Sequence, residues 1–277
     1  MKVVAHISDL HFGTEDPLVA AGLLEDLQRI APALVIISGD LTQRARCAQF
    51  RAARDYLECI SFPRLTIPGN HDVPLYDVVR RFLAPLKRYC RFIDSSLDPW
   101  YHDDKLAVLG LNTARSLTWK SGRLSMKQIE LIRTRFRAAP DACFKILVTH
   151  HPFIPPPGDE NTGIDLVGRA ALALPVIDEC EIDLLLAGHL HHGYTGDVRA
   201  YYPATKRSIV VAQAGTAISH RVRREPNAYN VISLEDDTIE IAVRSWSNGA
   251  FRESTRIAYR LAAEEWRLTN TYGVTQR

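Results

Sequence analysis

The chain carries ten histidines, and six of them stand in short clusters: His11 with Asp9, His71 with Asn70 and Asp72, His150 with His151, and His189 with His191. Asp40 follows Gly39 in a further polar cluster. No cysteine belongs to the set. Imidazole mixed with carboxylate and amide oxygen suits Mn, Fe, Zn or Co rather than Ca or an iron–sulfur cluster. One catalytic ion takes about three protein ligands, so this inventory is too large for one. It suits a pair of ions about 3.5–4 Å apart. A pair needs a bridging carboxylate, and Asp40 is the natural choice. Two such cations would offset the charge of an anionic substrate and lower the pKa of a bridging water, which becomes a nucleophile at neutral pH. A poor leaving group needs a proton, and a histidine near its ordinary pKa of about 6.5 can supply it.

These residues need elements to position them. Each cluster begins close to the end of a short apolar run: Val3–Ile7, Leu34–Ile37, Leu65–Ile67, Phe144–Val148 and Leu184–Ala187. Leu106–Leu111 and Ile209–Ala212 are similar runs. Runs this short and continuous suit strands buried on both faces. In open α/β sheets the ligand crevice lies outside the carboxyl ends of the strands. If the strands are neighbours, all five clusters converge on one place. Gly39 and Gly188 stand before Asp40 and His189, where they allow a tight turn.

Helical patterns fall between the runs. Leu18, Leu23, Leu24, Leu27 and Ile30 give one apolar face, and Phe50, Ala53, Leu57 and Ile60 another. Ser125 with Gln128 is a capping-box pair. Pro85 should split the segment 77–93, and 166–181 reads as helical around Pro175. Beyond residue 200, Ala228–Leu234, Thr238–Trp246 and Arg256–Leu261 read as antiparallel strands, with Glu235-Asp236-Asp237 as a turn. The expected fold is layered α/β with two packed sheets. No composition break divides residues 1–277, which read as a single domain, β-rich from about 205.

Composition narrows the function. Hydrophobic residues are 46% and charged residues 24% of 277, as in ordinary globular chains. The net charge of +2 gives no bulk pull toward nucleic acid or anionic membrane. No stable nucleic-acid partner is expected. Arg outnumbers Lys 27 to 7, and Arg suits planar phosphate recognition. The five cysteines Cys47, Cys59, Cys90, Cys143 and Cys180 are scattered and odd in number, which speaks for free, mostly buried thiols in a reducing compartment. No signal peptide or membrane span is visible, so the expected location is the cytoplasm.

The ordered set Asp9-Leu10-His11, Gly39-Asp40, Gly69-Asn70-His71-Asp72, His150-His151-Pro152 and Gly188-His189-Leu190-His191 resembles the calcineurin-like metallophosphoesterase superfamily. The resemblance implies a four-layer α/β/β/α sandwich of two mixed sheets, the metallo-dependent phosphatase fold, with a dinuclear site. It implies that Asp9, His11, Asp40 and His191 hold one divalent metal, and that Asp40, Asn70, His150 and His189 hold the other. His71 would be the acid or phosphate-contacting imidazole, oriented by Asp72. The expected enzyme hydrolyses small phosphodiesters such as cyclic nucleotides, by attack of a metal-bridging hydroxide. The alternatives are a phosphomonoesterase, a hydrolase of the pyrophosphate bond in a nucleotide-linked lipid precursor, and a non-catalytic metal-dependent binding module. The oligomeric state stays open, a homodimer included.

Some branches do not match. Protein Ser/Thr phosphatases of the superfamily carry Asp-Arg-Gly where this chain has Asp40-Leu41-Thr42, and purple acid phosphatases use a Tyr ligand that is not visible here. His150 is preferred over His151 as the ligand because it comes directly off the strand. His151 is then a pocket or supporting contact. Asn112-Thr113 followed by Ser121-Gly122 looks like a loop pair of the bacterial small diesterases. His6 reads as a core residue, His102 as a loop residue and His192 as exposed. His220 is a candidate for the substrate pocket. Arg199, Lys206, Arg207, Arg221, Arg223 and Arg224 either draw in an anionic substrate or form a solvated face. The Arg80–Arg91 segment is either a cap or an amphipathic helix with a basic outer side.

Overall fold

The computed structural model describes residues 1–140, 143–159, 163–222, 225–263 and 265–273. Two β-α units open the chain: β1 (Lys2–Ile7), α1 (Pro17–Ile30), β2 (Leu34–Ile37), α2 (Cys47–Glu58) and β3 (Arg64–Thr66). Pro85 breaks the next helical stretch, as expected, into α3 (Val78–Leu83) and α4 (Lys87–Phe92). Then follow β4 (Trp100–His102), β5 (Leu106–Leu111), α5 (Met126–Arg137), β6 (Phe144–Thr149), α6 (Ala170–Glu179), β7 (Leu184–Ala187), β8 (Tyr194–Asp197) and β9 (Val210–Gln213). The tail is an antiparallel meander of β10 (Ala228–Glu235), β11 (Thr238–Ser247), β12 (Ala250–Ala262) and β13 (Glu265–Gly273).

The strands form two mixed sheets, in the orders β13-β12-β11-β10-β1-β2-β3 and β4-β5-β6-β7-β9-β8. β1, β2 and β3 are parallel, as are β5, β6, β7 and β9. The sheets face each other across a core to which Val4, Ile36 and Ile232 contribute from one side and Val108, Val148 and Leu186 from the other. The outer face of the first sheet is covered by Leu23 and Leu27 of α1, Phe50 and Leu57 of α2, and Tyr89 of α4. Ile132 and Phe136 of α5 and Ala173 and Ile177 of α6 cover the second. This is the expected four-layer α/β/β/α arrangement. It explains why the central strands read as unbroken apolar runs: both faces are buried.

Three strands carry no such signal. β4 and β8 are short edge strands, and β13 is a polar edge strand of the meander. His102 therefore ends a strand rather than lying in a loop, and it is exposed. Of the five cysteines, all free, only Cys143 and Cys180 are buried; Cys47 and Cys59 are exposed, contrary to the expectation of mostly buried thiols. No helix among the described residues is long and apolar enough to cross a membrane.

α1 is fixed to the meander by charge as well as by packing. The Asp26 carboxylate, 1% exposed, accepts hydrogen bonds from Tyr229 (2.6 Å), from both Nε and Nη2 of Arg244, and from Arg29 (2.6 Å). Removing one partner of a buried ion pair leaves the other uncompensated. Asp26→Ala should therefore lower unfolding stability by about 3–5 kcal/mol, measured as a drop in the urea midpoint. A change under about 1 kcal/mol would show that Arg244 finds water instead.

Candidate metal centre

The carboxyl ends of β1, β2, β3, β6 and β7 meet at one crevice. Asp9 N donates to Gly39 O (3.2 Å), His11 N to Asp40 O (2.9 Å) and Gly188 N to His150 O (3.1 Å), so the loops are stitched to one another. Five of the expected ligands have left-handed backbone: Asp9 (φ 54°), His11 (48°), Asp40 (53°), His189 (79°) and His191 (63°). Non-glycine residues in that region cost energy and cluster at functional sites. Gly39 (φ 102°) also makes the expected turn, and a Cβ there would lie 2.7 Å from His150 Nδ1. Gly188 differs from expectation. It has no left-handed φ, and its need is for space, because a Cβ would fall 1.8 Å from Ser8 Oγ.

The side chains form two adjoining donor groups. In one, His11 Nε2 lies 3.5 Å from Asp9 Oδ1 and 3.7 Å from Asp40 Oδ2, and His191 Nδ1 lies 3.8 Å from Asp9 Oδ1. In the other, Asn70 Oδ1 lies 3.1 Å from His150 Nε2 and 3.0 Å from His189 Nδ1, and His150 Nε2 lies 3.4 Å from Asp40 Oδ1. Asp40 thus turns one oxygen to each group. Asp9 Oδ1, Asp40 Oδ2 and His11 Nε2 are buried with no hydrogen-bond partner. Such atoms are costly unless something pairs with them. Among the described residues, three converging groups of His and Asp could hold an ion: Asp9–His11–His191, His11–Asp40–His71 and Asp9–Asp40–His150. The donor chemistry and the orphaned atoms both fit a divalent cation.

Electrostatics agree. Burial alone would raise the Asp9 and Asp40 carboxyls, but His191 beside Asp9 and His150 beside Asp40 outweigh it and hold both below the usual range. Burial works against a charged His150, yet the Asp40 charge and hydrogen bond push it up to about 9. Burial pushes His189 down to about 3 and His191 to about 4. One ring thus offsets the carboxylates with a proton that a cation would displace.

His151 is committed elsewhere. Its Nδ1 meets Thr113 Oγ1 at 2.7 Å and its Nε2 meets Lys120 O at 2.6 Å, while Gly122 leaves the space its ring fills. The Asn112-Thr113 and Ser121-Gly122 pair therefore boxes in this imidazole. The expectation that Asp72 orients His71 is corrected. The Asp72 carboxylate accepts from the backbone of Leu41 (3.1 Å), Thr42 (2.9 Å) and Gly69 (2.9 Å) and from Thr42 Oγ1 (2.9 Å). It fixes the loops after β2 and β3 and is spent there. His71 is oriented by Nδ1 donating to Gln43 O (2.9 Å).

Sequence reasoning missed the cations at this ring. Arg221 Nη1 lies 2.9 Å from His71 Nε2, and Arg44 Nη1 lies 3.4 Å from Nδ1. Gln43 O at Nδ1 and the Arg221 guanidinium at Nε2 fit a neutral ring with its proton on Nδ1. Burial lowers the His71 pKa, and Arg221 adds to that against the pull of Asp40. A cavity of about 220 Å³ opens here between Gln43, Arg44, Asn70, His71, Trp119 and Arg221. Arg44 carried no motif signal, and Arg221 stood out only as one member of a basic stretch. His220 is exposed and His192 half-buried. His6 is a core residue, bonded to Ser38 Oγ at 2.9 Å. Arg199 pairs with Asp197 and Glu265, and Arg207 with Glu181, as a solvated face does. Arg223 and Arg224 lie outside the described residues.

Because Asp72 serves backbone donors, its loss should be structural. Asp72→Ala should lower unfolding stability by about 3 kcal/mol and lower metal content with it. A variant of unchanged melting temperature that is merely slow would return Asp72 to an orienting role on His71.

A family model described as calcineurin-like phosphoesterase matches residues 2–193. A probable cyclic nucleotide phosphodiesterase from Synechococcus is 24% identical over 69% of this chain and 74% of its own length. A protein of the same description from Vesicomyosocius okutanii is 26% identical over 67% and 75%. A glycerophosphodiester phosphodiesterase from Enterobacter lignolyticus is 33% identical over 25% of this chain and 29% of its own. Among solved structures, the purple acid phosphatase of yellow lupin seeds shares the fold at TM-score 0.64 and 11% identity. It covers 93% of this chain, which spans about half (53%) of the lupin protein. GAP50, the anchor in the inner membrane complex of Plasmodium, does so at TM-score 0.58 and 16% identity over 91% and 88%. The donor clusters all fall inside the matched segment, and the chain belongs to the calcineurin-like phosphoesterase family.

Proposed function

We propose that this phosphoester hydrolase cleaves small phosphodiesters, cyclic nucleotides among them, with two divalent cations, Mn, Fe, Zn or Co. The observation that carries the reading is the split carboxylate of Asp40, one oxygen turned to each donor group. In this reading Asp9, His11, Asp40 and His191 hold one cation, and Asp40, Asn70, His150 and His189 the other. Bound cations would offset phosphoryl charge and lower the pKa of a bound water. The names of the relatives support the diester class. Residues 1–277 act as one domain, and the five free thiols support a cytoplasmic setting.

The chain's own groups do the rest. Arg44 and Arg221 face the cavity beside Asn70 and bind the phosphoryl oxygens. An anionic ester entering between His71 and Arg221 takes over the guanidinium's hydrogen bond. It also offsets the Arg221 charge, which adds to burial in keeping the ring neutral. His71 then takes up a proton from solvent at Nε2 and passes it to the leaving oxygen, while the Gln43 carbonyl holds Nδ1–H in place.

Metal counting tests the donor assignment. Asp40→Ala should lose metal at both positions, His150→Ala should lose one, and His151→Ala should keep both. Two metals per chain in the Asp40 variant would remove the bridge from the reading.

Turnover tests His71. Wild-type chain with added Mn²⁺ should hydrolyse bis(p-nitrophenyl) phosphate and a cyclic nucleotide. His71→Ala should keep its metals and lose about 10²–10⁴-fold in rate on the cyclic nucleotide. The loss should be smaller on the p-nitrophenyl ester, whose leaving group departs without a proton. Equal losses would make His71 a phosphate contact rather than an acid.

A further inference from the structure

The near-zero net charge conceals one uneven face. Of the eight Arg and Lys in segments 76–93 and 115–123, Lys87, Arg91, Lys120 and Arg123 are exposed; the carboxylates beside them are Asp77, paired with Arg80 at 2.9 Å, and Asp165, which accepts from Ser121 Oγ at 2.9 Å. The same two segments expose large apolar side chains: Tyr76 75%, Val79 70%, Phe82 54%, Leu83 82%, Leu117 79% and Trp119 67%. Isolated exposed apolar residues are ordinary, but a group of them rimmed by charge marks an interaction site.

The two segments are one structural unit. Arg81 is 4% exposed and clasps them together. Its guanidinium donates to Ser116 O (2.8 Å), Pro74 O (2.9 Å) and Thr118 O, and it lies 5.9 Å from the Trp119 ring centre. Asn70 Nδ2 donates to Trp119 O at 3.3 Å, so the face adjoins the mouth of the metal centre.

We propose that this face docks the protein on an anionic phospholipid bilayer, with Val79, Leu83 and Leu117 entering the interfacial layer and Lys87, Arg91 and Arg123 meeting the lipid phosphates. Charge complementarity decides the occupant. A second copy would set like charge against like charge. An acidic protein would need a separate apolar seat for each of these exposed side chains. A bilayer accepts protruding apolar side chains and concentrates anions beneath them. The proposal does not depend on which phosphoester is hydrolysed.

Flotation of the full chain with vesicles tests it. Phosphatidylcholine with about one third phosphatidylglycerol should carry the protein up, and phosphatidylcholine alone should not. Raising salt from about 0.1 to about 0.5 M should release it. The triple variant Val79→Ser, Leu83→Ser, Leu117→Ser should bind at least about tenfold more weakly with an unchanged melting temperature. Lys87→Glu with Arg91→Glu should do the same and stands as an independent check if the triple variant folds poorly. Three results would each overturn the proposal: no flotation of the wild type with anionic vesicles, equal flotation with neutral ones, or a solution dimer that the triple variant dissociates.

Discussion

Two fully buried carboxylates, Asp9 and Asp40, lie within reach of one imidazole, and the architecture of this crevice follows from the cost of keeping them there. Two like charges in a dry pocket repel, and neither can retreat to water. Only positive charge brought to them makes the arrangement sustainable. His150 arrives from β6 with that charge, the rings that follow β1 and β7 supply further nitrogen donors, and left-handed backbone at five donors turns the side chains inward. The second ring of contacts serves the same end. Asp72 takes up the loose backbone donors of two loops, Thr113 and the Lys120 carbonyl hold His151 out of the donor set, and Gln43 fixes His71.

The sheets are built to deliver this. Seven parallel strands end in one direction, and the antiparallel strands are placed at the flanks, where they complete the sandwich without supplying donors. The outer helices cover apolar faces and leave the carboxyl ends open. α3 and the 115–123 loop, locked together by Arg81, form the border beside that opening.

Much of this could be read from residue order. The parallel strands declared themselves because burial on both faces demands unbroken apolar runs, as in Leu184–Ala187. Pro85 and the Ser125–Gln128 pair marked helix ends through local chemistry. That the seven proposed donors would gather was legible because each follows a strand. What escaped lacks a local signature. β4 and β8 are edge strands whose pairing is decided by neighbours far along the chain. The Asp72 contacts link residues about thirty positions apart, and Arg221 reaches His71 across 150. The left-handed turns at Asp9 and His11 are tertiary constraints that no propensity encodes. Spacing could suggest that Asp72 stands beside His71, but it could not show which way the carboxylate faces.

The donors divide unevenly between the sheets. Asp9, His11, Asp40 and Asn70 follow strands of the first, and His150, His189 and His191 follow strands of the second. An ion in either position would therefore be a rivet through both halves of the sandwich, closing a covalent-like loop from Asp9 to His191. A disulfide of that span would restrict the unfolded chain by several kcal/mol. The centre, once loaded, would then act as this disulfide-free fold's substitute for a cross-link, and the two sheets would part only after giving up the ions between them.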